Sequence, residues 1–115
     1  IMAYPLVRIA NSTKYAVEGD AIYCSAFCSD DHYNVESGMA WEAKSRGVCL
    51  LKKITATVQT PSGNIEATPY TSSGTSYSQF AVVDLGGNNF SVTRVVNDTE
   101  DFPPENYVEP TEQQK

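Results

Sequence analysis

The sequence predicts an all-β protein, a small two-sheet antiparallel β-sandwich of seven or eight strands followed by an extended, acidic, proline-containing C-terminal tail. Three observations lead there. β-Branched and aromatic residues gather in short stretches that alternate in polarity with a period of two. Turn-forming residues recur about every ten positions, and no stretch keeps the helical period over three turns. With 115 residues there is room for one core. The mixture of tight turns and longer loops suits two packed sheets better than a small closed barrel.

The first strand is predicted at residues 4–10 and ends at Asn11-Ser12-Thr13. The second covers 15–24, with Tyr15, Val17, Ala21 and Tyr23 on one face and Gly19-Asp20 expected to bulge or bend it. Residues 25–32 break the alternation and read as a loop. A short strand at 33–35, a turn at Glu36-Ser37-Gly38 and a strand at 39–44 follow; in the last, Met39, Trp41 and Ala43 share a face, which places Trp41 in the core. The turn Ser45-Arg46-Gly47 leads into the longest strand, 48–60. Its second half sends Ile54, Ala56 and Val58 one way and Thr55, Thr57 and Gln59 the other. Pro61-Ser62-Gly63-Asn64 is placed for a tight turn, and 65–68 is the return strand that Pro69 ends or confines to an edge. Residues 71–76, Thr-Ser-Ser-Gly-Thr-Ser, read as a small polar loop. A last hairpin, 77–85 with 90–96, closes around Gly86-Gly87-Asn88-Asn89.

The chain divides by composition into a sandwich domain at 1–97 and an acidic arm at 98–115. Eight Lys and Arg face fourteen Asp and Glu, a formal charge of -6. Six of those carboxylates fall after Asn97, opposed only by Lys115, so the body is nearly neutral. Neither part has the positive surplus that phosphate backbones require, which excludes nucleic acid as a partner. The longest apolar runs are a few residues, far short of a membrane span. Within the arm, Phe102, Tyr107 and Val108 are the large apolar side chains, candidates to anchor it on another surface.

Cysteines and sequons point to an oxidising compartment. Cys24, Cys28 and Cys49 in a short polar chain suggest one bridge and one odd thiol. Cys28 with Cys49 would tie the 25–32 loop to the longest strand, Cys24 with Cys49 would join two strands, and Cys24 with Cys28 would close a tight ring. Asn11, Asn89 and Asn97 each begin a sequon and are candidates for glycosylation. Residues 1–9 lack a charged start followed by an apolar run, so a mature chain, secreted or at the cell surface, is expected. The competing expectation takes Met2-Ala3 as the true start of a cytosolic protein with reduced thiols.

Catalytic constellations are sparse. His32 is the one histidine; a Cys28–His32 dyad is conceivable, but no pattern around it supplies an oxyanion hole. Asp30 and Asp31 are neighbours whose side chains diverge on an extended chain, unlike a glycosidase pair facing across a cleft. Cys24, Cys28, His32 and Cys49 have looser spacing than zinc knuckles, so no metal or other cofactor is expected. Tyr33, Tyr70 and Tyr77 flank loops and are candidates to stack on a sugar or a partner protein.

Val7-Arg8-Ile9-Ala10-Asn11-x-Thr13, and Val35-Glu36-Ser37-Gly38 followed by Trp41, resemble small membrane-binding sandwich proteins such as the aegerolysins over about a third of the chain. The resemblance implies a fold. The tryptophan-rich lipid-binding face of that family has no counterpart in a chain with one Trp. Together these readings lead to a non-enzymatic, secreted structural or adhesive module that associates with copies of itself, the arm docking on a neighbour's sheet edge. The alternative is a secreted module that binds carbohydrate or lipid through loop tyrosines, with glycans as partners.

Overall fold

A computed structural model describes residues 6–24, 28–43, 49–75 and 77–95. The arm residues Phe102, Tyr107 and Val108, the sequon at Asn97 and the 97/98 boundary lie outside the described residues. Ten strands are described: β1 (Arg8–Asn11), β2 (Ala16–Tyr23), β3 (Asp31–Val35), β4 (Ala40–Glu42), β5 (Leu51–Ile54), β6 (Thr57–Thr60), β7 (Gly63–Glu66), β8 (Tyr70–Thr75), β9 (Gln79–Gly86) and β10 (Asn89–Arg94). They form two sheets, one of four strands in the order β10-β9-β1-β4 and one of six in the order β7-β6-β2-β5-β8, with β3 also on β2. The all-β sandwich is therefore the fold, with more strands than the seven or eight expected. Every named strand pair among the described residues is antiparallel except β1 with β9.

The core lies between the sheets. β1 contributes Ile9, β2 Val17, Ala21 and Tyr23, β3 Tyr33 and Val35, and β9 and β10 Phe80, Val82, Phe90 and Val92, all buried. β2 shows why: its residues alternate half-buried and buried along all eight positions, so one face meets the core and the other solvent. Trp41 is only half-buried, its ring 5.4 Å from that of Tyr33, so it rims the core instead of filling it. The last hairpin turns through Gly87 and Asn88 at φ 60° and 62°, a pair of left-handed residues that matches strand twist.

Four expectations change in detail. Residues 31 and 32 belong to β3 and not to a loop, because Tyr33 and Val35 bury their side chains while His32 and Asn34 face solvent. Residues 70–75 are strand β8 on β5, although their Ser, Thr and Gly composition resembles a turn. The predicted strand 48–60 is split into β5 and β6 at Thr55-Ala56. Gly19-Asp20 is regular strand; the irregularity lies in the chain opposite, where β2 exchanges β6, paired with 16–18, for β5, paired with 21–23.

Disulfide Cys28–Cys49 joins the segment before β3 to the segment before β5, with Cα atoms 6.1 Å apart. It is one of the three pairings the spacing allowed. Cys24 is outside that bridge and half-buried; its N–H donates to the Leu50 carbonyl at 2.9 Å, and its thiol lies 3.5 Å from the Ser73 carbonyl.

Candidate functional site

The site begins at the split between β5 and β6. An ideal Cβ on Gly19 would stand 2.0 Å from the Thr55 carbonyl oxygen, so that oxygen occupies the space a side chain would need. It points toward the core, where the buried Tyr33 hydroxyl donates to it at 2.7 Å. A buried carbonyl without a partner is costly, and here the phenol supplies one. Burial, and to a smaller degree the charge of Asp20, hold the Tyr33 hydroxyl protonated well above the ordinary phenol range. Thr55 is fixed twice more: its N–H donates to the Asp20 carbonyl at 2.9 Å, and its hydroxyl accepts from the Asp20 N–H at 3.0 Å.

On the outer side the split opens a cleft of about 330 Å³ lined by Asp20, Lys53, Thr55, Ala56, Thr57, Glu66, Ala67 and Pro69. Ala56 and Ala67 are buried at its base, joined by Ala67 N–H donating to the Ala56 carbonyl at 2.9 Å. Beside it, on the same outer face, His32 Nδ1 lies 3.0 Å from Asp20 Oδ1 and Nε2 lies 3.8 Å from Glu18 Oε2. Gln59 Nε2 donates to the other Glu18 oxygen at 2.9 Å. The histidine thus borders two carboxylates and not a nucleophile. Cys28, the thiol of the conceivable dyad, is in the disulfide. The same bridge takes two sulfurs from the Cys24, Cys28, His32 and Cys49 set, and among the described residues no group of three or more His, Cys, Asp or Glu is placed to hold a metal ion.

The tyrosine candidates do not assemble. Tyr33 is 1% exposed and belongs to the core, which corrects its assignment to a ligand surface. Tyr70 packs on Phe80 with ring centroids 4.8 Å apart, and Tyr77 carries the Arg94 guanidinium 3.5 Å above its ring. Both are half-buried against the core.

The sequons differ sharply. Asn11 is 1% exposed, and its Nδ2 donates to the carbonyls of Tyr15 at 2.7 Å and Val35 at 3.0 Å. Its Oδ1 accepts from the Thr13 N–H at 2.9 Å. The sequon is an Asx turn that ties β1 to the entry of β2 and the end of β3, and a glycan has no room there. Asn89 is exposed at the start of β10.

No local pattern in the sequence marks the cleft residues, because they come from β2, β5, the link to β6, β6 itself, β7 and the segment before β8. The one usable signal was Gly19, singled out there as the place of an irregularity. Comparison with protein-family models, with curated proteins and with solved structures returns no match.

Proposed function

We propose that this chain is an extracellular recognition module that works by binding a small polar ligand on the open face of its six-stranded sheet. The observation that carries this reading is the cleft over the β5–β6 split, where Asp20, Lys53, Thr55, Thr57 and Glu66 converge above a base fixed by three hydrogen bonds to Thr55. The Cys28–Cys49 bridge fits an oxidising compartment, and among the described residues no helix is long and apolar enough to cross a membrane. A binding role suits a histidine flanked by carboxylates and a cysteine committed to a bridge better than nucleophilic chemistry does. The test is an amide-resolved NMR screen of a mixed library of small polar compounds. Saturable shifts at Lys53, Thr55, Thr57 and Ala67 are expected; a library that leaves all four unmoved refutes the reading.

Self-association is the second reading. Met39 and Leu85 are 61% and 65% exposed, and β3, β4, β7 and β8 each pair along one side only among the described residues. Such edges accept an extended segment, and the arm at 98–115 with Phe102, Tyr107 and Val108 is the segment we assign. Light scattering on the full chain and on a chain ending at Asn97 tests it. Oligomers of the full chain alone are expected, and two monomers across a wide concentration range sink the idea.

A further inference from the structure

We propose that the cleft over the β5–β6 split takes a neutral pyranose, one sugar unit of a glycan, an inference that rests on the recognition reading and gives it a ligand class. Its charged groups do not neutralise one another: Lys53 makes no ion pair with Asp20 or Glu66, and Lys53, Thr57 and Glu66 have no side-chain hydrogen bond with any described residue. Two carboxylates, one of them bonded to His32, against one ammonium leave no positive surplus to hold phosphate and sulfate groups. An apolar ligand would strip water from all three charges and return nothing. A polyol presents donors and acceptors on every ring carbon. Carboxylates accept from its hydroxyls, the Lys53 ammonium donates to them, and threonine hydroxyls do both.

The geometry supports the match. Thr55 Oγ1 already accepts from the Asp20 N–H, which leaves its own hydrogen to be donated. The Thr55 backbone is held from below by Tyr33 and from the side by Asp20, so the floor of the cleft is ordered before any ligand arrives. Pro69, exposed at the rim above the buried Ala56 and Ala67, gives a small apolar surface for the C–H face of a sugar ring. At about 330 Å³ the cleft is at the small end of ligand pockets, suited to one ring and not to a long acyl chain. With about a dozen heavy atoms and no aromatic platform, a monosaccharide should bind with Kd on the order of 1 mM.

The probes are methyl glycosides of glucose, galactose and mannose, with glycine and inorganic phosphate as a zwitterion and an anion for contrast, each titrated against the full chain by amide-resolved NMR. At least one glycoside should saturate with shifts at Lys53, Thr55, Thr57 and Ala67. Glu66→Gln and Lys53→Met should each weaken it by about tenfold while the melting temperature stays unchanged. Glu66 is exposed, and the half-buried Lys53 has no side-chain hydrogen bond or ion pair with a described residue and is replaced by an unbranched side chain of similar length, so these variants fold. If glycine or phosphate moves those amides and no glycoside does, the cleft binds but the sugar assignment is overturned. If none of the five probes moves them, the sugar assignment is overturned, and the recognition reading falls with it only where the mixed library also leaves them unmoved. Glycoside binding that survives both substitutions undiminished also overturns the proposal.

Discussion

Replacing Tyr33 with phenylalanine removes one oxygen from the core and leaves the ring. The lost group is the donor to the Thr55 carbonyl at 2.7 Å, in a place where Tyr33 itself is 1% exposed. An unsatisfied buried acceptor costs about 1–3 kcal/mol, so the variant should lose about 2 kcal/mol at pH 7. For a domain of this size that is a Tm lower by roughly 8–16 °C. The pH dependence sharpens the test. The phenol titrates near 10 in the unfolded chain and higher in the folded one, so above pH 10 the unfolded state releases a proton that the native state keeps. Stability linked to Tyr33 is therefore fully present below pH 10 and is lost as pH rises, at about 1.4 kcal/mol per pH unit. The Tyr33→Phe variant has no such loss, and the gap between wild type and variant should shrink by more than half by about pH 11. Urea unfolding followed by far-UV circular dichroism between pH 7 and about pH 11 measures both quantities. A variant as stable as wild type at pH 7, or a gap that does not narrow in alkali, refutes the account of Thr55 and Tyr33.

Three further outcomes follow from the same geometry. Gly19→Ala places a methyl group 2.0 Å from a backbone oxygen, and a shift of Thr55 that relieves it also breaks the Tyr33 bond; a loss of about 3 kcal/mol or more is expected in urea unfolding. Asn11→Ala removes the side-chain donor to the Val35 carbonyl, one of the two donors to the Tyr15 carbonyl and the acceptor of the Thr13 N–H, and should cost about 2–3 kcal/mol, while peptide mass mapping of chain made in a eukaryotic secretory pathway should find Asn11 without a glycan. Reduction of Cys28–Cys49, whose cysteines are 21 residues apart in sequence, should lower stability by about 3 kcal/mol, and Cys49→Ala should match it; melting scans with and without reductant check both.

What was legible in the sequence was periodicity with a half-buried face. β2 shows it over eight residues, and the last hairpin shows it together with its glycines. What was hidden had weak or misleading local chemistry. β8 is composed like a turn and is a strand because it pairs with β5 and buries Thr75, a tertiary effect that propensity does not carry. β3 sends only Tyr33 and Val35 inward, too few apolar residues to stand out after two aspartates. The split at Thr55-Ala56 left no trace in the polarity pattern, because Ile54, Ala56 and Val58 remain buried in step across it. Asn11-Ser12-Thr13 illustrates the opposite trap: the three residues that define a sequon also make a buried Asx turn, and only the surroundings separate the two.

Gly19 connects the fold to the candidate site. Had the chain opposite it continued as regular strand, a side chain would fit at position 19 and the outer face would be an unbroken ladder. The break instead drives a peptide carbonyl inward, which requires glycine in β2 for space and a phenol in β3 for a donor. Outward, Thr55 and Ala56 part β5 from β6 and leave Asp20, Lys53, Thr57 and Glu66 around a gap. Gly19 sits at ordinary strand dihedrals, so backbone freedom is not what selects it; the Thr55 oxygen is. The arrangement replaces regular ladder pairing at this point by the Thr55–Asp20 hydrogen bonds on one side and sets a polar oxygen, satisfied by Tyr33, in the core on the other. What the arrangement leaves on the outer face is a cleft whose floor is held by hydrogen bonds and whose Lys53 and Glu66 side chains make no ion pair with one another, and that is why the proposed recognition is assigned to the open sheet face and not to the loop tyrosines.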